Sequence, residues 1–109
     1  MDPREERLAK NEILFREINE RIEEAADGLG LDGHVFEFVC ECADADCTLR
    51  LPLTLAQYEE VRSDPTQFVV VPGHEVPRIE TVLVRTDAYE IVRKQGDAGE
   101  RAAERDPRT

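Results

Sequence analysis

Three cysteines, Cys40, Cys42 and Cys47, fall within the stretch FVCECADADCTLRL, and the chain has two histidines, His34 and His74. Thiolates and neutral imidazoles are the usual donors of tetrahedral zinc, and a structural site needs four of them. The cluster supplies three. If residues 34 to 40 run as a regular strand, His34 lies about 20 Å from Cys40 at roughly 3.3 Å per residue, far beyond ligation. His74 stands in VPGHEVP, where Pro72 and Gly73 break an apolar run and turn the chain, so its imidazole is on a loop, as the cysteines are. The expected centre is therefore a structural Zn2+ held by Cys40, Cys42, Cys47 and His74, with Glu75 either orienting the imidazole or substituting for it.

Other chemistries fit this spacing less well. A nucleophilic cysteine needs a nearby cation, helix N-terminus or histidine to lower its pKa, whereas Glu41, Asp44 and Asp46 would each disfavour the thiolate. A redox pair lacks the C-x-x-C spacing, and a Cys40–Cys42 bond within a continuing strand would be strained. Burial as small hydrophobes is the plain alternative, set against the polar neighbours of all three. Calcium on Asp44 and Asp46 lacks the glycine and terminal glutamate of an EF-hand loop. The C-x-C-x4-C pattern is neither the paired C-x2-C knuckle of zinc ribbons nor the H-x3-C-x2-C helix of zinc-binding anti-sigma factors. A filled Cys3His site has no open position for water, which points to structure over hydrolysis.

A chain of 109 residues implies one domain with a small core, to which four phenylalanines, two tyrosines and no tryptophan contribute little bulk. A metal staple suits such a core. With 25 acids against 14 bases the net charge is −11, and the bases are interleaved with acids, so neither nucleic acid nor an anionic membrane is an expected partner. No apolar run approaches the length of a membrane span, and MDPREERLAKNE lacks the apolar core of a signal peptide. The expected location is cytoplasmic, where an odd number of cysteines argues against a disulfide framework.

The elements that must position these residues follow from periodicity. Leu8, Phe15, Ile18, Ile22, Ala25 and Leu29 trace one stripe along a helix that ends at Gly28 and Gly30. That stripe is expected either to pack on the sheet or to pair with a second copy or partner through Phe15, Ile18 and Ile22. Its first turns are long enough to project beyond the body. Past the glycines the period becomes two. His34, Phe36, Phe38 and Cys40 alternate with Val35, Glu37, Val39 and Glu41 as a strand with the aromatics on its inner face, and TLRLPL follows as another. Thr54 and Gln57 form a capping box for a short helix through Tyr58 and Val61. FVVVP reads as a strand, IETVLV and YEIVRK as a hairpin, and Asp97 and Glu100 open a last short helix before a charged tail expected to fray. The class is α+β: a long N-terminal helix (1–30), a core (31–96) with four or five short strands in an antiparallel or mixed sheet, and a terminal segment (97–109).

The segments NEILFREINERI, FVCECADADC, LTLAQYEEVRSDPTQFVVVPGHE and YEIVRKQGDAGERAAERDP resemble a group of small bacterial proteins, common in actinobacteria. The resemblance covers nearly the whole chain. It implies a free-standing domain and brings no activity, ligand or catalytic residue with it.

The functional expectation is a zinc-stabilised cytoplasmic interaction or regulatory module that binds a protein partner. Two alternatives remain open: a small metal-dependent or thiol-based enzyme or sensor using Cys42 or His74, and an acidic nucleic-acid mimic.

Overall fold

The structure, a computed structural model, describes residues 3–30 and 33–108. The domain boundary placed at residue 31 and the end of the tail at residue 109 lie outside them. The order is α1 (Pro3–Asp27), β1 (Val35–Val39), β2 (Arg50–Thr54), α2 (Leu55–Val61), β3 (Gln67–Val70), β4 (Glu80–Arg85), β5 (Glu90–Lys94) and α3 (Gly96–Glu104). The fold is α+β, as the alternation and the capping signals require. Among the described residues five strands are divided between an antiparallel β1–β2 hairpin and an antiparallel sheet in the order β3-β5-β4.

α2 packs on the β1–β2 hairpin and β3, while Ile13 of α1 and Ala102 of α3 pack on β3 and β5. Phe38 pairs with Leu51 and Phe36 with Leu53 across the hairpin. Phe38, Leu51, Leu53, Tyr58, Val61 and Val69 form one buried cluster, in which the Phe38 and Tyr58 rings stack at 4.6 Å. Thr54 and Gln57 make the capping box in full: Gln57 N–H donates to Thr54 Oγ1 at 3.1 Å, and Thr54 N–H to Gln57 Oε1 at 2.8 Å. A second cluster, with Phe68, Val70, Val92 and Ala102, takes in Cys40 and Cys42. The first turns of α1 do not project; Leu8 and Ala9 pack against Val76, Ile79 and Ala98.

The apolar stripe of α1 is not its buried seam: of the two expected outcomes, packing on the sheet holds only for Ile22, which rests against the Phe38–Tyr58 cluster, and not for the exposed Ile18. Ile18, Ala25 and Leu29 are exposed, and Leu8, Phe15 and Ile22 are only half-buried. The face turned inward carries Ala9, Glu12, Ile13, Arg16, Asn19, Glu20 and Ala26. Directional bonds hold it. Asn19 Nδ2 donates to Val39 O and Val39 N–H to Asn19 Oδ1, both at 2.8 Å, so one amide satisfies both backbone groups of a β1 residue. Arg16 donates to Pro65 O at 2.7 Å and to Gln67 O, and its guanidinium lies 3.6 Å from the centre of the Phe68 ring. Burial pulls Arg16 down to about 10, so it remains a cation at neutral pH. Lys94 pairs with both Glu12 and Glu80 in the interior.

The charged tail is also tied down as far as residue 108. Asp106 is buried against Arg62, which pairs with Glu20 as well. Arg108 reaches Glu20, Glu23 and Glu59 at 2.8–3.0 Å.

Candidate metal centre

Cys40 and Cys42 follow directly from β1, and Cys47 lies on the loop that returns to β2. Cys40 N–H donates to Leu49 O at 3.1 Å, continuing the hairpin ladder one residue past the strand. The loop then bulges as Asp44 O accepts from Cys47 N–H at 3.0 Å and Asp44 Oδ1 from Asp46 N–H at 2.9 Å. These turns fold the third sulfur back over the first two. His74 arrives from the β3–β4 connection. Its N–H donates to Val71 O at 2.9 Å, closing a tight turn through Gly73 at φ 91°. A side chain in that left-handed conformation costs about 1–2 kcal/mol. Gly73→Val should lower the free energy of unfolding by about that amount and speed the loss of added Zn2+ to a competing chelator. Unchanged release would show that the turn does not set the imidazole.

The four expected residues come together. Single ligand atoms of Cys40, Cys42, Cys47 and His74 all lie within 4.8 Å of one another. His74 Nδ1 is 3.6 Å from Cys40 Sγ and 3.7 Å from Cys47 Sγ. Tetrahedral zinc, with bonds of about 2.3 Å to sulfur and about 2.0–2.1 Å to nitrogen, requires a sulfur–nitrogen separation of about 3.6 Å. The spacing fits a metal at the centre. His34 is elsewhere, with its ring 6.2 Å from that of Phe36.

The environment of the sulfurs was misjudged from sequence in one respect. The neighbouring acids do not govern the thiols. Cys42 is pulled down to about 5, first by its hydrogen bond with Cys40 and further by His74, the Asp44 backbone and Cys47, against the effect of burial. Cys40 is pushed up, chiefly by that same bond with Cys42 and then by burial, while the Val71 N–H, 3.1 Å from its sulfur, opposes the rise. Cys47 is raised by burial. Glu41 turns away from the sulfurs altogether. Its carboxylate accepts from Asn19 Nδ2 at 2.9 Å, Val69 N–H at 3.0 Å and Tyr58 Oη at 3.1 Å, tying the ligand strand to α1, β3 and α2.

Glu75 does not support the imidazole. Its Oε2 accepts from Arg85 Nη2 at 3.0 Å. The brace is Glu90, which accepts from Gly73 N–H at 3.3 Å and from Arg85 Nε at 2.9 Å. Glu90 is buried. Reading the sequence did not single it out, because it lies on a strand sixteen residues after His74 and matches no ligand spacing.

Among the described residues no helix is long and apolar enough to cross a membrane. Compared with protein-family models, curated proteins and solved structures, the chain matches none of them.

Proposed function

We propose that this protein is a zinc-stabilised cytoplasmic module for interaction or regulation, whose protein partner docks on the outward face of α1. The observation that carries the reading is the mutual approach of three sulfurs and one imidazole nitrogen to within 4.8 Å. Thiolate and imidazole donors suit Zn2+ over oxygen-seeking cations, and four of them leave no ligand position for a reacting water. The metal would cross-link the β1–β2 loop to the β3–β4 turn, two segments of a small core. The acidic balance of the chain supports a protein partner over a nucleic acid.

One observation favours a second reading, a metal sensor with an exchangeable site. An open cleft of about 400 Å3 is bordered by Cys42, Asp44 and His74 together with Leu8 and Val76. Cobalt substitution separates the two. A closed Cys3His site gives intense d–d absorption and sulfur-to-metal charge transfer from a tetrahedral ion, and a structural module requires that result. Weak absorption from a five- or six-coordinate ion that changes on adding small anions would replace the structural reading with the sensor.

A further inference from the structure

The three sulfurs of the Cys3His cluster are not equally sheltered. Cys40 and Cys42 are each 1% exposed, whereas Cys47 is only half-buried. Cys40 is also tethered, since its Sγ accepts from Val71 N–H at 3.1 Å and its own N–H donates to Leu49 O at 3.1 Å. Cys42 and Cys47 stand on either side of the turn in which Cys47 N–H donates to Asp44 O, and Cys42 borders the open cleft of about 400 Å3 that also reaches His74. The accessible sulfur of Cys47 therefore has that of Cys42 within 4.8 Å, across a loop formed by residues 43–46.

We propose that the site is a redox switch, in which a peroxide oxidises Cys47 and Cys42 to an intrachain disulfide and so releases the metal; this rests on the metal reading above and adds the condition under which the metal leaves. With hydrogen peroxide the step balances as follows. Cys47 Sγ attacks one peroxide oxygen, the O–O bond breaks, and the departing hydroxide takes a proton from solvent, leaving a sulfenic acid at Cys47. Cys42 Sγ then attacks the Cys47 sulfur, the S–O bond breaks, and the second hydroxide is protonated to water. Each of the two thiolates loses one electron, the peroxide gains two, and Zn2+ keeps its charge. The fold selects the pair. A bond between Cys40 and Cys42 would have to close across a single residue while Cys40 is held at Val71 and Leu49, whereas Cys42 and Cys47 are the two ends of one tight loop.

After oxidation the donors that remain are Cys40 and His74, two where zinc needs four. What opens is the cross-link between the β1–β2 loop and the β3–β4 turn. The hairpin keeps its ladder, Asn11 Nδ2 still donates to Ala43 O at 2.8 Å, and the turn keeps its brace, Glu90 accepting from Gly73 N–H at 3.3 Å. Two loops are freed from each other while the body of the fold is preserved, which is what lets the change run backwards on reduction.

The test uses the full chain loaded with equimolar Zn2+ and treated with hydrogen peroxide, a chromogenic chelator reading the freed metal and mass spectrometry reading the sulfurs. About one zinc should leave per chain as the mass falls by two hydrogens, and a dithiol reductant should restore both the mass and zinc binding. Digestion before Asp44 and Asp46 separates Cys47 from the other two cysteines. The Cys47 peptide should then be found joined to the peptide that carries Cys40 and Cys42, with an alkylating label on Cys40. Cys47→His keeps four donors for zinc but removes the accessible sulfur, so peroxide should release its zinc at least about tenfold more slowly. If that variant holds no zinc, the position of the label in the parent chain decides the pair. Zinc retained under excess peroxide would overturn the switch and leave the metal reading intact. Zinc lost with irreversible sulfinic acid, or with a disulfide that omits Cys47, would also overturn it. A chain that takes up no added Zn2+ would sink the metal reading, and the switch with it.

Discussion

Prepared without a metal-affinity tag, the protein should contain about one zinc per chain, and a strong chelator should lower its melting temperature by at least about 10 °C. That is the shift produced by losing roughly 2 kcal/mol in a domain of this size, and metal that binds only the folded state contributes its binding free energy to folding. Three thiols and an imidazole gathered to within 4.8 Å are a poor arrangement without a cation, since the neighbouring sulfur and burial oppose ionisation of Cys40. Cys42→Ser should reproduce most of the loss with no chelator present, because a serine hydroxyl is a much weaker zinc ligand than a thiolate. His34→Ala should leave zinc content unchanged. Elemental analysis that finds no metal, with three freely titratable thiols in a fully folded protein, would reduce the cluster to local packing.

Lys94→Met should destabilise the chain by about 3–5 kcal/mol, a large part of the total stability of a small domain. The Lys94 side chain is 1% exposed, and the Glu12 and Glu80 side chains it joins are both 0% exposed. Methionine keeps much of the volume but leaves two carboxyl groups, of which burial already raises Glu80 to about 7, without the amine that pairs with them. Each must then take up a proton or draw in water, and either course loosens the contact between α1 and the β3-β5-β4 sheet. Adding Glu12→Gln and Glu80→Gln to Lys94→Met should restore most of the loss, since removing orphaned charges costs far less than leaving them. Urea unfolding of the single and triple variants checks both statements. A single variant as stable as the parent would mean that these groups are hydrated in solution.

The local elements and the donor set were legible in the sequence. Alternation at Phe36 and Phe38 and at Leu51 and Leu53 specified the hairpin faces, Thr54 and Gln57 marked the start of α2, and IETVLV with YEIVRK marked β4 and β5. These signals are short-range. Each depends on backbone geometry over a few residues, which the chain carries with it wherever it packs. The four converging donors were found by similar reasoning, because strand rise excluded His34 and a glycine turn placed His74 on a loop. That Nδ1 reaches two sulfurs is a property of the tertiary fold, as is the bracing of the turn by Glu90 in place of Glu75.

The orientation of α1 was decided by the tertiary structure alone. Hydrophobic periodicity finds the apolar side of a helix and assumes that it faces the core. Here Glu12, Arg16, Asn19 and Glu20 face inward because their partners are waiting there: Lys94 at a separation of 82 residues, the Pro65 and Gln67 carbonyls, the Val39 backbone, and Arg62. A buried polar group costs free energy only until it finds its counterpart. Those counterparts lie 20 to 82 residues away along the chain, so no window of sequence contains both halves of a pair, and Leu14 and Ile18 are left outward by a choice made at the far side of the helix.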